Sequence, residues 1–219
     1  MFGVKKGSIF KGEHVAYFNN SYIDLPSGLR LDNKSFTVEC FAKRTESLRR
    51  DYAILGINTS GSQVTNNKIH LLQRQSKEDW YLLFGTWAND FAGSSTPILD
   101  NIWYKMGFVT NVSTNERKIY LDSQVLNTVD KGAYEGSNPL TIGSWNNNPA
   151  TTGFAGEMSF LRIWDKALTL GEFTNLGTSK INAPQSNLYA NYNFNNNSLD
   201  TSGNNYHGIP NNVTYGRIF

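Results

Sequence analysis

The ten residues SFTVECFAKR (35–44) alternate: Phe36, Val38, Cys40 and Ala42 fall on one face, and Thr37, Glu39, Phe41 and Lys43 on the other. An apolar residue at every second position predicts a half-buried strand with the first set turned to a core. Cys40 then reads as a small core residue. It is the chain's single cysteine, which excludes an internal disulfide and a cysteine-cluster zinc site. Working outward, similar stretches recur at HVAYF (14–18), YIDL (22–25), YAILGI (52–57), KIHLLQRQ (68–75), WYLLFGT (80–86), WYKMGFVT (103–110), RKIYLD (117–122), PLTIGS (139–144), MSFLRIWD (158–165) and LYANYNF (188–194). Gly, Asn, Ser and Asp clusters separate them. Many short strands at this spacing predict an antiparallel sandwich or barrel.

Composition agrees. Within 219 residues there are 19 Gly and 27 Asn, and aromatic residues make up 13%, a mixture that suits short strands and many turns and excludes a helical bundle or a disordered chain. Lys plus Arg is 20 against 18 Asp plus Glu, a net charge of +2, and only 17% of residues are charged. That argues against nucleic acid and against a polybasic membrane anchor. No apolar run approaches the roughly 18 residues of a membrane span, and the opening MFGVKKGSIF lacks the features of a secretory signal. The length predicts one domain over 1–219. One short helix is expected near 169–177, where Thr169 can cap, Glu172 can reach back to the cap amide, and Gly177 stops the turn.

Several segments together resemble the concanavalin A-like jelly roll, specifically its laminin-G-like, pentraxin-related branch. AYFNNSYIDLP (16–26) followed by SFTVECFAKR looks like the family's opening strands, and IWYKMGFVTNVSTNERKIYLDSQVLNT (102–128) like its central hairpin. The most specific piece is LTIGSW (140–145) followed by GFAGEMSFLRIWDKALTLGEF (153–173), which looks like the strand that closes the sandwich and runs into a short helix. The resemblance implies an all-β, two-sheet antiparallel jelly-roll sandwich. Two departures stand out. Ser159 and Phe160 occupy the place of an Asp-Glu pair, with Glu157 two residues upstream, and NLYANYNFNNNSLDTSGNNYHGI (187–209) resembles a strand and loop that normally begin such domains. Residues 188–219 therefore read as closing strands in a permuted order, as the opening of a second domain, or as a segment docked on a neighbouring copy.

Catalysis finds no positive support in the sequence. Hydrolases of this fold carry paired carboxylates at alternate positions of one strand, and none of the 18 acidic residues has that spacing. Arg44, His70 and Tyr104 could be matched to an alginate-lyase-like neutraliser, base and acid, but Ser47 interrupts the arginine motif and Lys68 stands where a Gln is expected. Calcium is the one cofactor expected. The run 197–204 is rich in side-chain and backbone oxygens, as a hard cation requires, and the resemblance puts a calcium-binding aspartate at Asp200; Glu157 and the carbonyls near Gly203 complete the nominated set. The competing reading is an Asx-turn at Asp200.

For ligands, two polar loops carry tryptophan. GTWANDFAGSS (85–95) offers Trp87, Asn89 and Asp90, and GSWNNNPATTG (143–153) offers Trp145, Asn146, Asn147 and Asn148. An aromatic ring to stack on a sugar face, flanked by amides and carboxylates for its hydroxyls, is the chemistry of glycan recognition. The expected function is a non-catalytic carbohydrate-recognition or adhesion module for a neutral or weakly charged glycan, acting extracellularly, at a cell surface or on a virion. The rivals are a structural or adhesive protein of a larger assembly, such as a phage surface or bacterial appendage with protein partners, and a polysaccharide lyase or hydrolase.

Overall fold

The computed structural model describes residues 12–46, 48, 51–58, 64–76, 79–93, 96–146 and 148–218. Two antiparallel sheets stack face to face. In chain order the strands are β1 (His14–Phe18), β2 (Tyr22–Asp24), β3 (Phe36–Arg44), β4 (Asp51–Ile57), β5 (His70–Ser76), β6 (Asp79–Gly85), β7 (Phe91–Ala92), β8 (Trp103–Asn111), β9 (Glu116–Leu121), β10 (Gln124–Asp130), β11 (Leu140–Ile142), β12 (Gly156–Trp164), β13 (Leu188–Tyr192), β14 (Ile209–Asn211) and β15 (Thr214–Arg217). The eight-stranded sheet runs β10-β9-β8-β3-β12-β1-β15, with β13 also paired to β12; the seven-stranded sheet runs β14-β2-β11-β4-β5-β6-β7. This is the expected jelly-roll sandwich.

The core lies between the sheets. Phe36, Val38, Cys40 and Ala42 from β3 meet Tyr52, Ile54, Leu71, Leu82 and Phe84 from the facing sheet, all buried. Cys40 is free and buried, and burial, together with the adjacent Glu39, pushes its thiol far up in pKa; it is a packing residue.

The expectation that β3 is half-buried needs correction. Thr37, Glu39 and Phe41, on its outer face, are as fully buried as the core set. Phe41 packs against the rings of Trp103 and Phe160 on the neighbouring strands, and Thr37 and Glu39 lie under a strap formed by helix α2 (Leu170–Asn175) and its flanks. Thr37 Oγ1 donates to Lys166 O (2.8 Å) and accepts from Leu168 N (2.9 Å). Glu39 is held by Arg162 Nη1 at 2.9 Å and Lys105 Nζ at 3.4 Å, while Lys105 also donates to Phe173 O and Arg162 Nη2 to Ser179 O. Phe173 lies so close to Gly107 that a Cβ there would come within 2.7 Å of its ring.

The capping box of α2 forms as expected: Thr169 Oγ1 accepts from Glu172 N (3.2 Å), and Glu172 Oε2 accepts from Thr169 N (2.9 Å). Gly177 follows at φ +60°. A second single-turn helix, α1 (Pro149–Thr152), lies inside the 143–153 loop; Pro149 at its first turn is the sequence signal for it. At the C-terminus, β13 pairs with β12, β14 with β2 and β15 with β1, so residues 188–217 join both sheets of their own chain. The asparagine excess also finds its place: of fourteen non-glycine residues at positive φ among the described residues, ten are Asn, the residue that tolerates the left-handed region best after glycine.

Candidate functional site

In the seven-stranded sheet, Tyr52, Leu71, Leu82 and Phe84 point into the core, so their strand neighbours face outward. That outer face carries a small apolar patch of Ala53, Leu72 and Leu83, against which Tyr81 and Trp145 pack. On one side of the patch, Asp51, Arg74 and Tyr81 lie in register across β4, β5 and β6. Arg74 holds Asp51 through two bonds, Nε to Oδ1 at 2.5 Å and Nη2 to Oδ2 at 3.2 Å. About 13 Å away, four residues back along β5, lies His70.

His70 joins the two tryptophan-bearing loops. Its ring stacks on Trp145 with centroids 4.4 Å apart and planes 29° apart, and its Nε2 lies 3.1 Å from Asp90 Oδ2. Nδ1 lies 3.0 Å from Lys68 O. Both ring nitrogens thus face oxygen atoms. Burial alone would raise the Asp90 carboxyl; the hydrogen bond and charge of His70, with Arg74 nearby, hold it below the usual carboxylate range.

Two strand glycines make the space. A Cβ at Gly85 would sit 1.9 Å from His70 Nε2, and one at Gly56 would sit 2.9 Å from both Ser144 O and Trp145 Cβ. A glycine inside a strand marks such a close approach. The signal is present in YAILGI and WYLLFG, but its meaning depends on residues far away in sequence. The sequence reading therefore found Asp90 and Trp145 without the histidine between them.

The other nominated residues have supporting positions. Asn89 staples its loop: Nδ2 donates to Asn66 Oδ1 (2.7 Å) and Lys131 O (3.2 Å), and Oδ1 accepts from Lys131 Nζ (2.6 Å). Beneath the loop, buried Arg117 donates to Thr86 Oγ1 (2.6 Å) and to Gly132 O and Ala133 O (both 2.8 Å); burial lowers its guanidinium to about 10. Trp87, partly exposed, lies 5.2 Å from Lys68 Nζ. Trp87 and Ala88 both adopt positive φ, +54° and +55°, a costly backbone for a bulky side chain. Asn146 occupies a left-handed turn and donates its amide to Ile57 O at 2.9 Å. Asn148 precedes α1 without a side-chain cap and is exposed. Asn147 lies outside the described residues.

Asp200, Gly203 and Glu157 do not fit a calcium centre. Asp200 Oδ1 accepts from Asn191 N and Ser202 N, both at 2.8 Å, and Oδ2 from Ser202 Oγ and Tyr206 N, both at 2.9 Å. Its oxygens face donors, the reverse of a cation's demand, and the bond to Ser202 N makes the Asx-turn. Glu157 pairs with Lys43 at 2.8 Å. Among the described residues no group of three or more His, Cys, Asp or Glu is placed to hold a metal. The lyase-like set also fails to converge. Arg44 is turned inward, bonded to Asp100 (2.5 Å) and Gln73 (3.3 Å) with Trp80 beneath it at 3.8 Å. Tyr104 is a core residue, whereas His70 is on the outer face.

A family model for the concanavalin A-like lectin/glucanases superfamily matches residues 18–173. No curated protein matches the sequence. Among solved structures, a protein of Bacteroides ovatus to which carbohydrate binding is provisionally ascribed superposes with a TM-score of 0.75 at 20% identity, covering 95% of this chain and 61% of its own, so this chain spans about three fifths of that protein. Domain 4 of an extracellular GH43 arabinanase from Geobacillus stearothermophilus, in complex with arabinotriose, gives 0.58 at 21% identity, covering 74% and 76%. The CBM40 of a Ruminococcus gnavus sialidase, bound to α2,3-sialyllactose, gives 0.59 at 12% identity, covering 78% and 100%. The described residues contain no helix long and apolar enough to cross a membrane.

Proposed function

The chain belongs to the concanavalin A-like lectin/glucanases superfamily, and from that premise we propose that it is a non-catalytic carbohydrate-binding module whose site is the outer face of the seven-stranded sheet. The observation that carries this reading is the stack of Trp145 on His70, locked by Asp90 and fitted into space left by Gly56 and Gly85. An indole held flat on a sheet beside charged and amide groups suits the apolar face of a sugar ring. Arg74 neutralises Asp51, and Asp90 is engaged by His70, which favours a neutral or weakly charged glycan.

Several features favour binding over turnover. A glycoside hydrolase needs one carboxyl with a raised pKa as general acid, whereas Asp90 is held low. Two of the similar structures are themselves carbohydrate-bound modules of larger enzymes, and the arabinanase is extracellular; we place this chain outside the cell as well. A glycan array, run with and without calcium, tests the reading. A hit that does not depend on calcium is expected. No binding to any glycan, or release of ultraviolet-absorbing unsaturated products from a uronate polymer, would overturn it.

A further inference from the structure

Among the described residues, two aromatic side chains stand at positive φ, Trp87 at +54° and Phe194 at +50°. Phe194 is buried in the main core, and that burial offsets the cost of its backbone. Trp87 has no such compensation. It is only partly buried, and among the described residues it belongs to none of the apolar clusters. Ala88, at +55°, adds a second strained residue to the same turn.

The surroundings hold the turn in this conformation. Asn66 N donates to Trp87 O (3.2 Å), and Asn66 Oδ1 accepts from Thr86 Oγ1 (3.1 Å) and Asn89 Nδ2 (2.7 Å). Thr86 and Arg117, bonded to each other beneath the loop, are both fully buried. The chain on either side of Trp87 is thus fixed from below, while the indole stays partly at the surface. Backbone strain over-determined in this way is typical of ligand sites.

The ring also stands next to the stack of Trp145 on His70. β5 and β6 pair His70 with Gly85, and counting two residues outward sets Lys68 opposite Trp87, about 6.7 Å further along. Ile69 lies in the core, so Lys68 shares the face of His70, and Lys68 Nζ lies 5.2 Å from the centre of the Trp87 ring. Asp90, bonded to His70, follows Trp87 by three residues.

Resting on the reading of the Trp145 platform as a glycan site, we propose that Trp87 is its second stacking residue, one sugar further along. The site is then built for a neutral linear oligosaccharide of two or more units rather than for a single ring. The first unit lies on Trp145, the next meets the indole of Trp87, and the strained turn keeps that indole presented.

The test is calorimetric titration of linear arabino-, xylo-, manno- and gluco-oligosaccharides of one to four units into wild type and three variants. In wild type the Kd of the series that binds should tighten about tenfold between one unit and two or three. Trp87→Gly, which suits the left-handed backbone, should lose that gain, binding one unit and three alike, and should melt no lower than wild type. Trp87→Phe should keep most of the gain, and Trp145→Ala should lose binding at every length. In wild type the ¹⁵N indole signal of Trp87, assigned from Trp87→Phe, should shift with two units and stay in place with one, which reads the contact without the glycine variant. Affinity independent of chain length, a full gain in Trp87→Gly, or an indole signal unmoved by the longer chains would overturn the proposal and leave the platform intact. A lower melting temperature in Trp87→Gly with binding lost at every length would overturn it too, making the ring a structural prop. Absence of binding by wild type, or binding that survives Trp145→Ala, would instead overturn the reading on which the proposal rests.

Discussion

At the residue scale, the site depends on a histidine whose neighbours come from two distant loops. Trp145 and Asp90 stood out in sequence because each lies in a polar loop that carries a tryptophan. His70 stood out only as the base of a lyase-like set, and its place between them depends on contacts far apart in sequence. The glycines give the sharpest check: Gly85→Ala places a methyl where His70 now lies, so the ring must leave its position under Trp145. Glycan affinity should fall at least tenfold, about 1.4 kcal/mol, while the circular dichroism spectrum stays that of a folded β protein. The Asp90 carboxyl gives a pH signature. Its folded pKa is depressed, so its contribution to stability is complete above the ordinary aspartate value and is lost as pH falls through the folded one. Thermal melts of wild type and Asp90→Asn should differ at neutral pH, with the gap beginning to close near pH 3.8 and vanishing only below the depressed folded pKa. A gap that persists at lower pH would assign the stabilisation elsewhere. Asp200 shows the opposite lesson, because an aspartate in an oxygen-rich loop looks like a cation ligand until its donors are counted. Calcium or a chelator should leave the melting temperature unchanged.

At the element scale, period-two patterning located most strands, and Thr169 with Glu172 located α2 to within two residues. Edge strands escaped because they do not need two faces: in β10, Gln124 and Val125 are exposed, and β14 contains a proline and an exposed isoleucine. The strap over β3 was also hidden, as nothing in Glu39, Lys105 and Arg162 says that three charges will be sealed together. Its energetics separate two roles. Thr169→Ala should cost about 1 kcal/mol, the worth of an N-cap. Arg162→Ala should cost about 3–5 kcal/mol, because it leaves the buried Glu39 carboxylate without its closest partner. Urea denaturation of both variants checks the ranking; equal losses would mean that the ionic cluster is not what fastens the strap.

At the scale of the whole molecule, composition and alternation limited the architecture to an antiparallel sandwich or barrel, and the family resemblance narrowed it to a two-sheet jelly roll. That Trp145 and Asp90, from separate loops, meet on one face of the same sheet was beyond the sequence. The C-terminal strands pair within the chain, and Ala190, Tyr192 and Phe194 are buried in the main core. Deleting residues 188–219 should therefore expose the core side of β12 and yield aggregated or unfolded protein; a deletion variant with wild-type thermal stability would contradict that. The central claim, that glycan binds at the Trp145–His70–Asp90 platform, meets its most direct test in calorimetric titration of the best array ligand into wild type and Trp145→Ala side by side. The predicted result is a saturable isotherm for wild type and its loss, by at least tenfold in Kd, in the folded variant. An unchanged affinity in Trp145→Ala would place the site elsewhere and contradict the account.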